Sequence, residues 1–253
     1  MPALKPAFVV PSPQTGTDYP IYAAVPPATE PGPHAAVVFL DGDDQFRSAV
    51  AAYRTLRDAG AVPPLALFGV GYGASYTKPG NHRLRDYTPT PIATETGSGG
   101  AEPFLSFLTD TLWPELARRH PLRADVRGLA GHSLGSLLVV HALLQRRPFF
   151  THHLASAPSL WWDNRAVLCH AQNHQRTGAA LPAKLFLSVG EEDSESMTGD
   201  LTLFEDQLAA LPFPQLELIS RRHPRRNHFN VLPESFATGL AALFAPPDAR
   251  GSL

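Results

Sequence analysis

Near the middle of the chain stands the sequence Val126-Arg127-Gly128-Leu129-Ala130-Gly131-His132-Ser133-Leu134-Gly135-Ser136-Leu137-Leu138-Val139-Val140. Its beginning has the composition of a short buried strand and its end that of an apolar helix. Between them lies a Gly-x-Ser-x-Gly motif, at which a strand that leads directly into a helix must turn sharply. Gly131 and Gly135 remove the side chains that would crowd such a turn. The stretch therefore predicts a strand, a tight turn and a helix, with the Ser133 hydroxyl exposed at the turn.

Strand-like and helix-like patterns alternate on both sides of this unit. Buried or half-buried strands are predicted over 7–11, 19–26, 35–40, 65–70, 126–130, 154–157, 184–189 and 216–220. Helices are predicted over 44–59, 102–119, 134–144, 201–211 and 233–244. This alternation predicts an α/β fold with a mostly parallel twisted sheet, helices on both faces and an antiparallel edge formed by the first two strands. With no repeat or linker, we expect a single domain over 1–253.

One stretch departs from the regular alternation. Residues 71–100 are rich in Gly, Pro and Thr and contain no clear strand or helix pattern. Loops of this length inside a compact domain are usually functional or disordered. In an open α/β sheet such a loop is expected over the carboxyl ends of the strands, where ligands bind.

The composition excludes several classes of protein. Of the 253 residues, 43% are hydrophobic and 17% charged, and the net charge of −2 gives no general attraction to nucleic acid or to an anionic membrane. The single cysteine excludes an internal disulfide and a cysteine-based zinc cluster, and we predict no cofactor. Residues 1–6 lack a signal-peptide pattern, which predicts a cytoplasmic protein; the periplasm stays open if a leader was removed.

A serine needs a base within hydrogen-bond reach to become a nucleophile, and the base needs an acid to orient it. On this type of scaffold the chain order is serine, then acid, then histidine. Eleven histidines are present, but only His223 and His228 follow the last predicted strand. His228 lies directly before the final predicted helix, so it is our preferred base, with His223 as the alternative.

The acid is expected directly after the predicted strand 184–189. Asp193 is our preferred residue because one or two turn residues normally separate the strand from the acid, and Glu192 is the alternative. Catalysis of acyl transfer also needs two backbone N–H groups aimed at the developing oxyanion. We assign these to Leu134, which follows the nucleophile, and to Asp43, which follows the tight turn after the third strand.

Four further features bear on function. One is the basic segment Arg221-Arg222-His223-Pro224-Arg225-Arg226, which is either a solvated loop or a source of positive charge at the site. Another is the pair Trp161-Trp162, which is either core or a platform for a flat ligand. His170 and His174 have the spacing of a helical metal pair but lack the glutamate of the zinc-protease motif, so we predict no metal. Gly69-Val70-Gly71-Tyr72-Gly73 has the wrong spacing for a dinucleotide-binding loop.

The chain resembles the putative-esterase (esterase D-like) branch of the α/β-hydrolases, and within it the siderophore esterases of the IroE type. The resemblance rests on five stretches: Val38-Phe39-Leu40-Asp41-Gly42-Asp43, Arg85-Asp86-Tyr87-Thr88-Pro89-Thr90-Pro91, Gly131-His132-Ser133-Leu134-Gly135, Ser156-Ala157-Pro158-Ser159-Leu160-Trp161-Trp162 and Asn227-His228-Phe229. The second and fourth are much more specific than the serine motif.

The resemblance implies a carboxylic ester hydrolase with the α/β-hydrolase fold that attacks through Ser133 and His228 and acts on a small-molecule ester. It implies catecholate triesters as one substrate class, with Arg85 and the basic segment meeting an acidic, aromatic substrate. Some members of this group work with a serine–histidine dyad, so the role of Asp193 stays open. The alternatives are a dedicated siderophore triester hydrolase, an acyltransferase with the same residues, and a non-catalytic binding protein. Neither the substrate nor the oligomeric state follows from the sequence.

Overall fold

The computed structural model describes residues 5–145 and 148–246. Its strands are β1 (Phe8–Ser12), β2 (Thr17–Ala24), β3 (His34–Phe39), β4 (Leu65–Val70), β5 (Leu122–His132), β6 (His152–Ser156), β7 (Ala183–Gly190) and β8 (Leu216–His223). They form one sheet in the order β1-β2-β4-β3-β5-β6-β7-β8. β2 pairs antiparallel with β1 and β4, and every pair from β4 to β8 is parallel. The mostly parallel sheet with an antiparallel edge is thus confirmed.

The helices are α1 (Gly42–Asp58), α2 (Arg83–Tyr87), α3 (Ala101–Ser106), α4 (Trp113–Arg119), α5 (Leu134–Leu143), α6 (Trp162–Gln175), α7 (Glu195–Ala210) and α8 (Leu232–Phe244). A π-helical stretch, Phe107–Leu112, joins α3 to α4, so the helix predicted over 102–119 is continuous but not uniform. α2 and α6 were not predicted. α2 is a single short helix inside the long segment 71–100.

The sequence pattern does not predict α6, for two reasons. Its start contains three successive residues with left-handed backbone angles, Asp163, Asn164 and Arg165, which interrupt the helical spacing. The face that it buries includes the polar residues His174 and Gln175, so the buried stripe does not stand out as apolar. A search for apolar residues at helical spacing therefore finds an irregular polar segment.

Side chains of the central strands alternate between the two faces of the sheet. In β3 and the residue after it, Ala36, Val38 and Leu40 pack into the core beneath α3–α7. Val37 and Phe39 pack into the other core, which α1 and α8 cover. Because both faces are buried, the strand has to be apolar throughout. This burial holds the carboxyl ends of β3, β5 and β6 in a fixed relation to each other.

The segment 71–100 is held by a buried ion pair and by hydrogen bonds to a second buried carboxylate. Arg83 donates two hydrogen bonds to the fully buried carboxylate of Asp41, at 3.0 and 3.1 Å. The buried carboxylate of Asp86 accepts hydrogen bonds from the hydroxyls of Tyr19 (2.7 Å) and Tyr72 (3.1 Å). Charges that are buried in this way persist only when they are paired and hydrogen-bonded. The segment therefore packs as a fixed part of the molecule.

Over the stretches 5–145 and 148–246, the structure has no helix with the length and apolar character that crossing a bilayer requires.

Candidate active site

Ser133 lies at a sharp turn between β5 and α5. Its backbone angles, φ 61° and ψ −123°, are unfavourable for a residue with a side chain, and the neighbours must hold them in place. The Ser133 N–H donates to the carbonyl of Ser156 at 3.0 Å, and the Ser136 hydroxyl donates to the carbonyls of Gly131 (2.7 Å) and Ser156 (2.8 Å). The turn is therefore fixed to the end of β6.

The two glycines of the motif are not equivalent. A Cβ on Gly131 would lie 2.6 Å from the carbonyl carbon of Gly135, closer than non-bonded atoms approach. A Cβ on Gly135 would have its nearest neighbour, Asp41 Oδ2, at 3.4 Å, an ordinary contact. The turn thus requires glycine at 131 for space, while position 135 has room for a methyl group.

The structure brings Ser133, His228 and Asp193 into one hydrogen-bonded chain. His228 Nε2 is 3.0 Å from Ser133 Oγ, and His228 Nδ1 is 3.0 Å from Asp193 Oδ2. The Asp193 side chain is only 3% exposed, whereas His228 is 24% exposed and can meet a ligand. A carboxylate on Nδ1 holds the proton there and leaves Nε2 free to accept the serine proton. The arrangement can activate Ser133 as a nucleophile.

The two alternatives from the sequence lie elsewhere. The His223 side chain is buried and its Nδ1 is 3.4 Å from Glu234 Oε1, so it contacts α8 rather than Ser133. Glu192 is exposed, and no hydrogen bond links its carboxylate to His228 in the described part of the chain.

The loops that carry Asp193 and His228 cross each other closely. The Glu192 N–H donates to the Arg226 carbonyl at 2.8 Å, and a Cβ on Gly190 would overlap that carbonyl oxygen. In the base loop, the Asn227 side-chain oxygen accepts the N–H groups of Phe229 (3.0 Å) and Asn230 (3.2 Å). Such an Asx turn fixes the backbone locally. His228 is thus presented from an ordered turn.

The oxyanion donors assigned from the sequence lie in the first turns of two helices. Leu134 is the first residue of α5 and Asp43 the second residue of α1, and N–H groups in a first helical turn have no partner within the helix. The Asp43 carboxylate accepts the Tyr22 hydroxyl (2.6 Å) and the N–H groups of Tyr72 (2.5 Å) and Gly73 (3.1 Å). These bonds fix the start of α1. The roles of both N–H groups remain predictions.

Two cavities open beside Ser133. One has a volume of about 410 Å³ and the other about 330 Å³, and both are lined by Ser133, His228 and Phe229. The larger also includes Ser159, Trp161, Glu192, Asp193, Ser194, Met197 and Asn227, and the smaller Asp44, Gln45, Tyr76, Arg83, His132 and Leu232. The Phe229 ring is 92% exposed. An ester bound at Ser133 thus has space on both sides of the reacting carbonyl.

Two predicted substrate contacts need correction. Trp161 lines the larger cavity with 43% exposure, but Trp162 is buried and its Nε1 donates to the Thr90 carbonyl at 3.0 Å. Trp162 is therefore core. Arg85 lines neither cavity, because Asp86 and the β2 residue Thr17 hold its guanidinium at 2.7 and 2.9 Å. Among the described residues, the arginine that lines a cavity beside Ser133 is Arg83.

Sequence reasoning missed Arg83 and His132. Arg83 belongs to a short helix within an apparent loop, so no pattern placed it. His132 occupies the variable position of the serine motif, directly before the nucleophile. It is buried, its ring centre lies 4.6 Å from that of His228, and burial together with His228 lowers its pKa to about 3. The ring is therefore neutral near pH 7.

The basic segment 221–226, which begins within β8, does not supply positive charge to the cavities beside Ser133. Arg222 pairs with Glu205, and Arg226 pairs with Glu234 at 2.6 Å. None of the arginines of 221–226 lines either cavity beside Ser133. Within residues 5–145 and 148–246, no cluster of three or more histidine, cysteine or acidic side chains could hold a metal ion.

Comparison with known proteins gives a consistent result. A family model described as "Putative esterase" matches residues 12–210. The siderophore triacetylfusarinine C esterase of Aspergillus fumigatus is 33% identical over 146 residues, 56% of this chain and 49% of that protein. The ferri-bacillibactin esterase BesA of Bacillus subtilis is 30% identical over 233 residues, 82% of this chain and 78% of that protein. The BES protein of Bacillus cereus has a similar solved structure, with a TM-score of 0.86, 25% identity and 97% of each chain covered.

The matched regions differ in extent between these relatives. The chain spans about half the length of the Aspergillus protein but most of the length of BesA. The likeness to the Bacillus cereus structure covers 97% of this chain, and with the observed strand order it confirms the predicted α/β-hydrolase fold.

Proposed function

The chain belongs to the putative esterase family, and on that premise we propose that it is a serine esterase that hydrolyses carboxylic esters through an acyl-enzyme. The observation that carries the proposal is the chain of hydrogen bonds from Ser133 Oγ through the His228 ring to Asp193, each 3.0 Å long, at the mouth of two cavities. Nothing in this chemistry requires a cofactor.

In the proposed reaction His228 Nε2 takes the hydroxyl proton of Ser133 as Oγ attacks the ester carbonyl carbon. The carbonyl electron pair moves onto oxygen, where the N–H groups of Leu134 and Asp43 stabilise the negative charge. Collapse of this intermediate breaks the carbon–alkoxide bond, and the alkoxide leaves as alcohol with the proton from His228. Water, deprotonated by His228, then attacks the acyl-enzyme and releases the acid and free Ser133.

Replacing the nucleophile tests the proposal. We expect Ser133→Ala to lower kcat for p-nitrophenyl acetate by about 10⁴-fold or more and to abolish labelling by a fluorophosphonate probe. The wild type should show a burst of p-nitrophenol equal to the enzyme concentration. Ser196→Ala removes an exposed hydroxyl on α7 that hydrogen-bonds to Ser194 and serves as the control. Wild-type rates in Ser133→Ala would refute the esterase proposal.

A narrower substrate class also has support. The named relatives are a siderophore triacetylfusarinine C esterase and a ferri-bacillibactin esterase, and the larger cavity presents two exposed aromatic rings, Trp161 and Phe229, beside Ser133. Aromatic rings bind flat aromatic groups by stacking, which contributes about 1 kcal/mol beyond the buried area. We therefore propose a catecholate siderophore ester as the preferred substrate.

This preference predicts a selective effect of Trp161→Ala. The value of kcat/KM for a cyclic catecholate triester should fall by about tenfold, since a stacking contact is lost, while that for ethyl acetate stays within about twofold. Steady-state kinetics measure the change in kcat/KM for each of the two esters. Val9→Ala, an exposed apolar residue on the far edge strand, is the matched control. Equal losses on both substrates would show that Trp161 does not recognise the catecholate.

A further inference from the structure

We propose that the ion pair between Arg165 and Asp200 holds Trp161 in place beside the start of α7 and so sets the shape of the larger cavity. Both members of the pair are positioning residues in this proposal, because neither of them lines that cavity. The inference rests on the proposed esterase function, with the aromatic part of the ester bound in the larger cavity.

The first support is the backbone that follows Trp161 and Trp162. Three successive residues, Asp163, Asn164 and Arg165, have left-handed angles, with φ of 46°, 51° and 64°. Aspartate and asparagine adopt this conformation more readily than arginine does. Such a conformation persists only where the surrounding structure holds it. Because the Arg165 N–H donates to the Trp161 carbonyl at 3.4 Å, whatever holds Arg165 also restrains Trp161.

The second support is the contact that holds Arg165. Its Nε lies 2.6 Å from Asp200 Oδ1, and the Asp200 side chain is 2% exposed. The other carboxylate oxygen, Oδ2, is also buried, and it has no hydrogen-bond partner among residues 5–145 and 148–246. A buried carboxylate requires a partner of opposite charge. Arg165 supplies that charge, so the contact fixes the arginine side chain.

The third support is the place of Asp200 on α7. It lies three residues after Met197, and residues at this spacing share one face of a helix. Met197 lines the larger cavity, and so does Ser194, which directly precedes α7. Trp161 lines the same cavity from the segment before α6. The ion pair therefore joins two walls of the cavity.

The later parts of α6 and α7 are joined by a separate set of contacts. The Gln207 side-chain nitrogen donates to the Leu168 carbonyl and to Gln175 Oε1, each at 3.1 Å. None of these three residues lines either cavity of the site. The two helices thus have one polar contact next to the larger cavity and another away from it, which allows the two to be tested separately.

Two substitutions at Asp200 distinguish the hydrogen bond from simple packing. Asp200→Asn retains an oxygen that can accept from Arg165, so KM for a cyclic catecholate triester should stay within about twofold of the wild type. Asp200→Leu has a similar volume but cannot accept. The Arg165 side chain is 51% exposed and stays in contact with solvent, so this variant leaves no buried charge unpaired.

In Asp200→Leu we expect KM for the triester to rise by about tenfold, as far as loss of the Trp161 stacking contact allows. The value of kcat for p-nitrophenyl acetate should stay within about twofold, because the small acetyl group does not depend on the Trp161 wall. Steady-state kinetics on the two esters measure both values.

Tryptophan fluorescence reports the position of Trp161 without any substrate. Trp161 is 43% exposed, whereas Trp113 and Trp162 are buried, so quenching by acrylamide acts mainly on Trp161. The quenching constant should rise in Asp200→Leu and keep its wild-type value in Asp200→Asn.

Gln207→Leu is the matched control, because it removes hydrogen bonds between the same two helices away from the cavity. It should lower the thermal midpoint, since buried partners lose a hydrogen bond, and leave KM for the triester within about twofold. A rise of KM in this variant equal to that in Asp200→Leu would overturn the proposal, because any loosening of the two helices would then have the same effect.

The outcomes separate this proposal from those on which it rests. If Asp200→Asn and Asp200→Leu share one KM for the triester, or if quenching is unchanged in Asp200→Leu, the positioning role is wrong and the esterase proposal stands. If Trp161→Ala affects both esters equally, the substrate class is wrong, and the quenching measurement still decides whether the ion pair holds Trp161. If Ser133→Ala is fully active, the esterase proposal itself fails.

Discussion

Asp193 and Glu192 are neighbours in the chain, yet they have different surroundings. The Asp193 N–H donates to the Gly190 carbonyl at 3.1 Å, and this turn directs the Asp193 side chain inward to His228. Its second oxygen, Oδ1, accepts the N–H of Ser194 at 2.7 Å. Glu192 remains in solvent at the rim of the larger cavity. Backbone geometry, rather than the type of acid, distinguishes the two residues.

This difference predicts the effect of removing each charge. Asp193→Asn should lower kcat by about 10³- to 10⁴-fold, because an amide donates to Nδ1 and stabilises the wrong tautomer of His228. Glu192→Gln is the matched control and should keep kcat within about twofold. Steady-state hydrolysis of p-nitrophenyl acetate measures both. A rate near that of the wild type in Asp193→Asn would show that Ser133 and His228 work as a dyad.

At the scale of the element, the strand–turn–helix unit of β5, Ser133 and α5 depends on one close contact. The backbone of residue 131 passes so near to residue 135 that only a hydrogen atom fits between them. The same turn forces Ser133 into an unfavourable conformation, whose cost is of the order of 1–3 kcal/mol. The rest of the unit, buried between β3 and β6, has to offset that cost.

The two glycines of the motif therefore predict opposite results. Gly131→Ala should lower the thermal midpoint and abolish fluorophosphonate labelling, since Ser133 can no longer keep its conformation. Gly135→Ala adds a methyl group inside α5 where space exists, and alanine favours a helix over glycine by about 0.5–1 kcal/mol. We expect it to fold at least as stably as the wild type. Thermal denaturation compares the two variants. Equal destabilisation of both would contradict the close contact described at Gly131.

The elements around Ser133 also show how much of the fold and of the site the sequence can predict. The neighbouring strands β3 and β4 are almost wholly apolar because both of their faces are buried, so composition alone indicates them. Ser133, His228 and Asp193 follow from chain order on such a scaffold. Arg83 and Trp162 could not be placed, because their surroundings depend on how 71–100 folds back over the sheet. That path is set by the Arg83–Asp41 ion pair and by the hydrogen bond from Tyr19 to Asp86, which join distant residues and leave no local pattern.

At the scale of the whole molecule, buried histidines couple stability to pH. His153 on β6 is fully buried, and this desolvation lowers its pKa from 6.5 to about 3. His132 has a similar shift for the same main reason. Between these two pKa values the unfolded chain binds protons that the folded protein does not. The free energy of unfolding must therefore fall as the pH is lowered from about 6.5 toward 3.

Replacing His153 tests this coupling. Each such histidine contributes a slope of about 1.4 kcal/mol per pH unit in that interval. His153→Leu, which cannot titrate, should reduce the difference in the free energy of unfolding between pH 7.5 and pH 5 relative to the wild type. Urea denaturation at the two pH values measures it. His34→Leu, at the start of β3, is a partly exposed control that should leave the difference unchanged. If the free energy of unfolding changed equally between pH 7.5 and pH 5 in His153→Leu and in the wild type, the coupling of His153 to pH would be excluded.

The crossing of the acid and base loops at Gly190 and Arg226 has a consequence for redesign of this protein. Because the two backbones touch, neither loop can be lengthened or exchanged without moving the other, and with it either Asp193 or His228. The cavity walls formed by Tyr76 and Trp161 belong to separate segments that do not share this crossing. A library aimed at new ester substrates should therefore vary those walls and keep 190–193 and 226–228 constant.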